Sequence, residues 1–163
     1  DSITQLEKNV FCEKIALFPR QRLFFTTYVY GNPEPQTLPA KQIALNAETT
    51  ILLVTGIAHP KPLYERLSKQ YKKVLHLKFQ DHHFFTKKDM IIIKKRISDE
   101  LKSNTVVFTT EKDMMRFRSK ALLDEINSMP VFTIPIEVKF LFEEDEIFND
   151  IIKQYVRSNS IVN

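Results

Sequence analysis

Three short segments carry residue types that could do chemistry: Thr55-Gly56-Ile57-Ala58-His59-Pro60, Asp81-His82-His83-Phe84-Phe85 and Thr109-Thr110-Glu111-Lys112-Asp113. A histidine with an ordinary pKa of about 6.5 exchanges its proton at cellular pH. An adjacent carboxylate can fix its tautomer or raise its pKa, so Asp81 makes His82 or His83 a candidate acid–base group. The backbone N–H groups around Gly56 could hold an anion at a strand-to-helix turn. Lys112 could partner a phosphate or a carboxylate. A metal needs three or four convergent ligands. His59 and His76 are the only other histidines, and no spacing follows a zinc pattern, so no metal site is expected in this chain. An absence is equally informative: Gly31 and Gly56 are the only glycines, so no phosphate loop can be written.

Each segment also has a purely structural reading. Thr55 to Pro60 can be a tight turn, with Pro60 in the first turn of a helix. Asp81 to Phe85 can be a polar loop covering a sheet, with Phe84 and Phe85 packed beneath it. Thr110 with Asp113 three residues later has capping-box spacing. Thr86 with Asp89 repeats that spacing where no function is expected. Taken singly, the residues leave both readings open.

The elements that must position these residues follow from hydrophobic period. Ser2-Ile3-Thr4-Gln5 has the form of a capping box, and Ile3, Leu6, Val10 and Leu17 predict a helix over 3–17, ended by Pro19. Arg22 to Tyr30 reads as a strand. Gly31, Pro33, Pro35 and Pro39 make 31–48 a linker or hinge rather than packed structure. From Thr49 short apolar runs alternate with helical periods. Strands are predicted at 51–54, 74–79, 105–108 and 131–136. Helices are predicted after each: one bearing Leu63, Tyr64, Leu67 and Tyr71, one bearing Met90, Ile93, Ile97 and Leu101, one over 111–127, and a closing helix bearing Ile147, Phe148, Ile151, Ile152 and Tyr155. This alternation implies an α/β fold with an open, mostly parallel sheet and flanking helices. In such sheets ligands bind outside the carboxyl ends of the strands, which is where all three segments fall.

A chain of 163 residues fits one domain, or one domain plus part of another. Its 43% hydrophobic content supports a core, and its net charge of +4 is explained by lysines on helix surfaces. No concentrated basic stripe marks a nucleic-acid binder, and no nucleic-acid partner is expected. The single cysteine, Cys12, excludes an internal disulfide framework and reads as a core thiol in a reducing compartment. No run is long enough for a membrane span, and no signal peptide is visible. The chain starts at Asp1 without a methionine, so further residues are expected before it.

In this order and spacing, Val54-Thr55-Gly56-Ile57-Ala58-His59-Pro60, Phe79-Gln80-Asp81-His82-His83-Phe84 and Thr110-Glu111-Lys112-Asp113 resemble the carboxyl-terminal half of the tetraacyldisaccharide 4′-kinase (lipid A 4′-kinase) family, over about residues 20–136. The resemblance implies a Gram-negative, cytoplasmic kinase, peripheral at the inner membrane. It would transfer the γ-phosphoryl of ATP, with Mg²⁺, to the 4′-hydroxyl of a lipid A disaccharide precursor. It further implies a kinase-like second domain lacking the phosphate loop. Residues 1–30 would be the last helix and strand of a missing amino-terminal kinase domain, 31–48 the hinge, and 49–163 the carboxyl-terminal domain. One functional residue carries over: His82, which would pair across the cleft with a catalytic aspartate of the other domain. Asp81, His83, Gly56, Thr110, Glu111, Lys112 and Asp113 would shape or orient the cleft. The nucleotide and metal would be held by the missing domain, leaving this part inactive alone. The rival reading is a stand-alone α/β module that binds an anion or a protein at the same strand ends without catalysis.

Overall fold

The computed structural model describes residues 3–99 and 104–159. In chain order the elements are helix α1 (Gln5–Lys14), strands β1 (Thr26–Tyr30) and β2 (Glu34–Pro35), helix α2 (Leu38–Lys41), strand β3 (Thr50–Thr55), helix α3 (Lys61–Gln70) and strand β4 (Lys73–Lys78). Helix α4 (Lys87–Asp99), strand β5 (Thr105–Thr110), helices α5 (Glu111–Phe117) and α6 (Leu123–Asn127), strands β6 (Val131–Ile134) and β7 (Ile136–Phe140) and helix α7 (Asp145–Asn159) follow. They form two compact units. One is Tyr30–Ile136; the other comprises the described parts of Asp1–Val29 and Glu137–Asn163.

The unit Tyr30–Ile136 holds a five-stranded sheet in the order β2-β6-β5-β3-β4. β3 pairs in parallel with β4 and β5, β5 pairs in parallel with β6, and only β2 runs antiparallel. β3 and β5 are buried at every position, as expected of central strands covered on both faces. Side chains of a strand alternate between faces, and the core divides accordingly. Ile51, Leu53, Val106 and Phe108 meet Leu63 and Leu67 of α3. Leu52, Val54 and Val107 meet Met90 and Ile93 of α4, Met114 and Phe117 of α5, and Ile126 of α6. Each fully buried aliphatic side chain contributes about 1.5–3 kcal/mol. The architecture is therefore the expected α/β class, with a mostly parallel sheet and flanking helices.

Strand order locates the site. The connection from β3 leads to β4 on one side, and the connection from β5 leads to β6 on the other. Such a reversal opens a crevice at the carboxyl ends of the two neighbouring strands. Thr55-Gly56 ends β3, and Thr110-Glu111 joins β5 to α5.

The second unit is built on aromatic packing. β1 and β7 form a two-stranded sheet. Phe24 lies edge-on to Phe148 of α7 at 5.3 Å between ring centroids, and Phe140 lies 4.9 Å from Phe148. Lys8 of α1 pairs with Glu144 at 2.6 Å and lies over the Phe142 ring.

Several local expectations are corrected. α1 runs Gln5–Lys14 rather than 3–17, because Ile15 turns to extended backbone. Its capping box joins Thr4 to Glu7, whose charged carboxylate accepts the Thr4 N–H at 2.7 Å; the expected Ser2 cap lies outside the described residues. Cys12 is exposed, not a core thiol. The strand expected over 22–30 is confined to Thr26–Tyr30. The helix expected over 111–127 is two, α5 and α6, and the strand expected over 131–136 is broken at Pro135, which cannot donate to a ladder. Leu101 lies outside the described residues. Residues 31–48, expected to be unpacked, contain β2 and α2, and Thr37 and Ala40 are buried. The Thr37 hydroxyl donates to the Met129 carbonyl at 2.7 Å and accepts the Val131 N–H at 3.1 Å. At the β6–β7 break the chain passes from the unit Tyr30–Ile136 into the unit that holds α1.

Candidate functional site

Gly56 is the hub of the strand-end crevice. Its N–H donates to Asp113 Oδ2 at 3.0 Å. Its carbonyl accepts the His82 N–H at 3.1 Å and Arg116 Nη1 at 3.1 Å. A Cβ at this position would stand 3.2 Å from Asp113 Oδ1 and 3.3 Å from the Gln80 carbonyl. The glycine is needed for close approach, not for a left-handed backbone, since neither glycine has positive φ. The anion at this turn is thus the protein's own: the N–H expected to hold a ligand holds Asp113.

Asp113 is fully buried, at 0% exposure. Thr110 caps α5 by accepting the Asp113 N–H at 3.1 Å. The Asp113 carboxylate accepts the Thr110 hydroxyl at 2.9 Å and pairs with Arg116 Nη1 at 3.0 Å. The capping spacing therefore has a second task, because its carboxylate ties β5–α5 to the turn after β3. Arg116, which the sequence reading missed, completes this network. Its signal was local: it stands three residues after Asp113, the spacing at which helical side chains meet.

His82 projects from the loop after β4. Its backbone is left-handed at φ 59°, uncommon outside glycine and concentrated at functional loops. The Asp81 carboxylate accepts the His82 N–H at 2.9 Å, holding the turn. The ring is 70% exposed, with Nδ1 3.2 Å from Arg116 Nη2. Nε2 is 3.5 Å from Lys112 Nζ and 3.7 Å from Asp81 Oδ2. Lys112 and Asp81 approach to 3.9 Å in an exposed pair that contributes little to stability. Glu111 turns elsewhere, its carboxylate 3.4 Å from the Ile136 N–H.

His83 is placed differently from its neighbour. Its ring stacks on Phe79 at 4.6 Å, and its Nε2–H donates to the Asp89 carboxylate at Oδ2, 3.1 Å away. Burial pushes the Asp89 carboxyl up, but hydrogen bonds from Thr86 and His83 outweigh it and hold the group below the usual carboxylate range. The Thr86–Asp89 cap thus also anchors a site histidine. Phe85 is buried against Phe117, at 4.2 Å, but Phe84 is 86% exposed rather than packed beneath the loop.

Beside this cluster a cavity of about 390 Å³ is lined by Ile57, Ala58, Lys78, Phe79, Gln80 and Asp81. A larger hollow of about 630 Å³, among Asn46, Thr49 and Asn104, lies at the opposite, amino end of the strands. Strand polarity favours the former as the chemical site. His59 and His76 do not join His82: His76 bonds Thr55 Oγ1 at 2.9 Å and stacks on Tyr64. Among the described residues no group of three His, Cys, Asp or Glu side chains is gathered for a metal ion, and no helix is long and apolar enough to cross a membrane.

The crevice therefore gathers Gly56, Asp81, His82, Thr110, Lys112 and Asp113, adds Arg116, and leaves His83 packed on Phe79 and bonded to Asp89. Comparison with known proteins gives this arrangement a family. The family model described as Tetraacyldisaccharide-1-P 4′-kinase matches residues 7–157. A tetraacyldisaccharide 4′-kinase of Phocaeicola vulgatus is 39% identical over 161 residues, covering 97% of this chain and 44% of the relative. One of Bacteroides fragilis is 34% identical with the same coverage, and one of Flavobacterium johnsoniae is 29% identical over 96% of this chain and 44% of its own length. No solved structure matches. The chain spans less than half the length of these relatives, and it belongs to the tetraacyldisaccharide-1-P 4′-kinase family.

Proposed function

We propose that this chain is the carboxyl-terminal part of a lipid A 4′-kinase. The full-length protein transfers the γ-phosphoryl of ATP to the 4′-hydroxyl of a tetraacyldisaccharide 1-phosphate. It works in the cytoplasm, peripherally at the inner membrane, where that lipid is presented. The observation that carries this reading is the family match across residues 7–157, combined with the Asp81-His82 loop at the strand-end crevice. The unit Tyr30–Ile136 supplies the His82 side of an interdomain cleft, and the remainder of the protein supplies the nucleotide site.

ATP and Mg²⁺ supply the transferable phosphoryl group and neutralise its charge. The residues of this chain do not fit as their holder, since no phosphate loop can be written and no acidic cluster is gathered among the described residues. Phosphoryl transfer depends chiefly on positioning and electrostatics. His82 meets the base that accepts the hydroxyl proton and orients it through a hydrogen bond. Lys112 and Arg116 keep the loop cationic where phosphate charge approaches. Asp81 holds the loop turn, and Asp113 anchors Arg116. His82→Ala in the full-length protein is expected to lower kcat by about 10²- to 10⁴-fold with little change in melting temperature. Near-normal turnover in that variant would overturn the reading.

A further inference from the structure

The acid–base reading of His82 leaves open which ring nitrogen carries the proton, and the network behind the loop answers it. Resting on that reading, we propose that Arg116 is a positioning residue that holds His82 as the Nε2–H tautomer. Nδ1 serves as an acceptor, and Nε2–H is the single donor offered at the exposed ring edge.

A guanidinium has donors only and stays protonated, so a ring nitrogen bonded to it must accept. Arg116 Nη2 lies 3.2 Å from His82 Nδ1. Lys112 also only donates, and its Nζ lies 3.5 Å from Nε2, so a neutral ring cannot satisfy both cations. Anchoring decides between them. Arg116 is mostly buried and bonded through Nη1 to both Asp113 Oδ1 and the Gly56 carbonyl. Lys112 is half exposed, at the limit of hydrogen-bond distance, and its other neighbour is Asp81 at 3.9 Å. Asp81 Oδ2, 3.7 Å from Nε2, favours a proton on that same nitrogen.

The backbone reinforces the geometry. One carbonyl, that of Gly56, accepts both the His82 N–H and Arg116 Nη1. Ring and guanidinium are therefore located from a common atom, and the left-handed backbone at His82 brings Nδ1 to the guanidinium. The groups facing the ring are Asp81 from its own loop and Lys112 and Arg116 from α5, with buried Asp113 behind Arg116. A proton added at Nδ1 would point at the guanidinium, so the neutral ring meets a partner only as a hydrogen-bond donor through Nε2–H.

The test uses full-length protein with ¹⁵N-labelled histidine, the His82 signals being assigned by their loss in His82→Gln. In the neutral ring, the ratio of Nε2–H to Nδ1–H for His82 should exceed that of a blocked histidine peptide by about tenfold, the effect of one charge-assisted hydrogen bond. A ratio equal to the peptide's, or a majority of Nδ1–H, overturns the proposal. Arg116→Lys, and the charge-neutral pair Asp113→Asn/Arg116→Gln, should bring the ratio back to the peptide's in variants whose circular dichroism shows them folded. A folded variant that keeps the enrichment also overturns it. If those variants do not fold, the unmodified protein's ratio still decides. Arg116→Lys should also lower kcat with little change in KM. Normal turnover in His82→Ala, with the tautomer result intact, would instead reject the kinase role of His82 and leave the assignment of Arg116 standing.

Discussion

The buried carboxylate of Asp113 accepts the N–H of Gly56 at 3.0 Å, joining residues 57 positions apart at the carboxyl ends of adjacent parallel strands. That bond makes a helix-opening residue of α5 part of the turn after β3. Removing it should expose its weight. Asp113→Ala leaves the Arg116 guanidinium without its buried partner, and breaking such a pair costs about 3–5 kcal/mol. Urea unfolding should show that loss; one below about 1 kcal/mol would mean that the pair behaves like a surface ion pair.

Gly56→Ala probes the same contact from the other side. The new methyl group would press on the Asp113 carboxylate and the Gln80 carbonyl, and the latter is backbone with little room to yield. A loss of about 1–3 kcal/mol is expected, as for overpacking of a filled core. A melting temperature equal to that of the unchanged protein would show that the turn can relax.

The two neighbouring histidines should separate cleanly. His83→Ala removes the stack on Phe79 and the contact to Asp89, and should lower stability by about 1 kcal/mol or more. His82→Ala should leave stability nearly unchanged, since its ring is mostly in solvent. Equal thermal shifts in the two variants would contradict this division between a packed ring and an exposed one.

Burial, helped by the Lys78 ammonium, holds His76 below the ordinary imidazole value of 6.5. Below about pH 6.5 the unfolded chain takes up a proton that folded His76 resists. Its contribution is therefore complete above that pH and is lost as pH falls toward the depressed folded value. One full proton gives a slope of about 1.4 kcal/mol per pH unit, and this half-buried ring should give less. His76→Gln should flatten the stability profile between pH 6.5 and the acid range where carboxylates such as Asp89 begin to titrate. An unchanged profile would place the pH dependence elsewhere.

Packing of 31–48 makes an opposite forecast from its composition. The Gln36 N–H donates to the Val131 carbonyl at 2.9 Å, and Thr37 is buried between Met129 and Val131. The Gln36 amide should exchange slowly with solvent deuterium, and Thr37→Val should cost about 1–3 kcal/mol by leaving buried backbone groups unpaired. Rapid exchange at Gln36 would return this stretch to the role of an open hinge.

The central strands were legible because an uninterrupted run such as Ile51-Leu52-Leu53-Val54 suits a strand covered on both faces. From them followed the crevice and the three polar segments around it. The Asp113–Gly56 bond was not legible, because it depends on β5 lying beside β3, a long-range choice that no local pattern encodes. Nor was the packing of 31–48, because its prolines signal a break only where an N–H is needed. Pro35 sits on an edge strand and Pro39 in the first turn of α2, two positions that tolerate its absence. Residue type alone makes Phe84 and Phe85 equivalent, yet successive side chains of an extended segment face opposite ways, and only Phe85 is buried.

Gly31 donates its N–H to the Pro135 carbonyl at 2.9 Å, so the sheet-bearing unit begins and ends at one place. In terms of chain connectivity it is an insertion whose two stems are already stitched together. Loop-closure entropy rises only slowly with length, so a segment of this kind can be lengthened, trimmed or transplanted at its stems while the adjoining chain sees the same short gap. The His82 loop and its anchoring network thus travel as a single cassette.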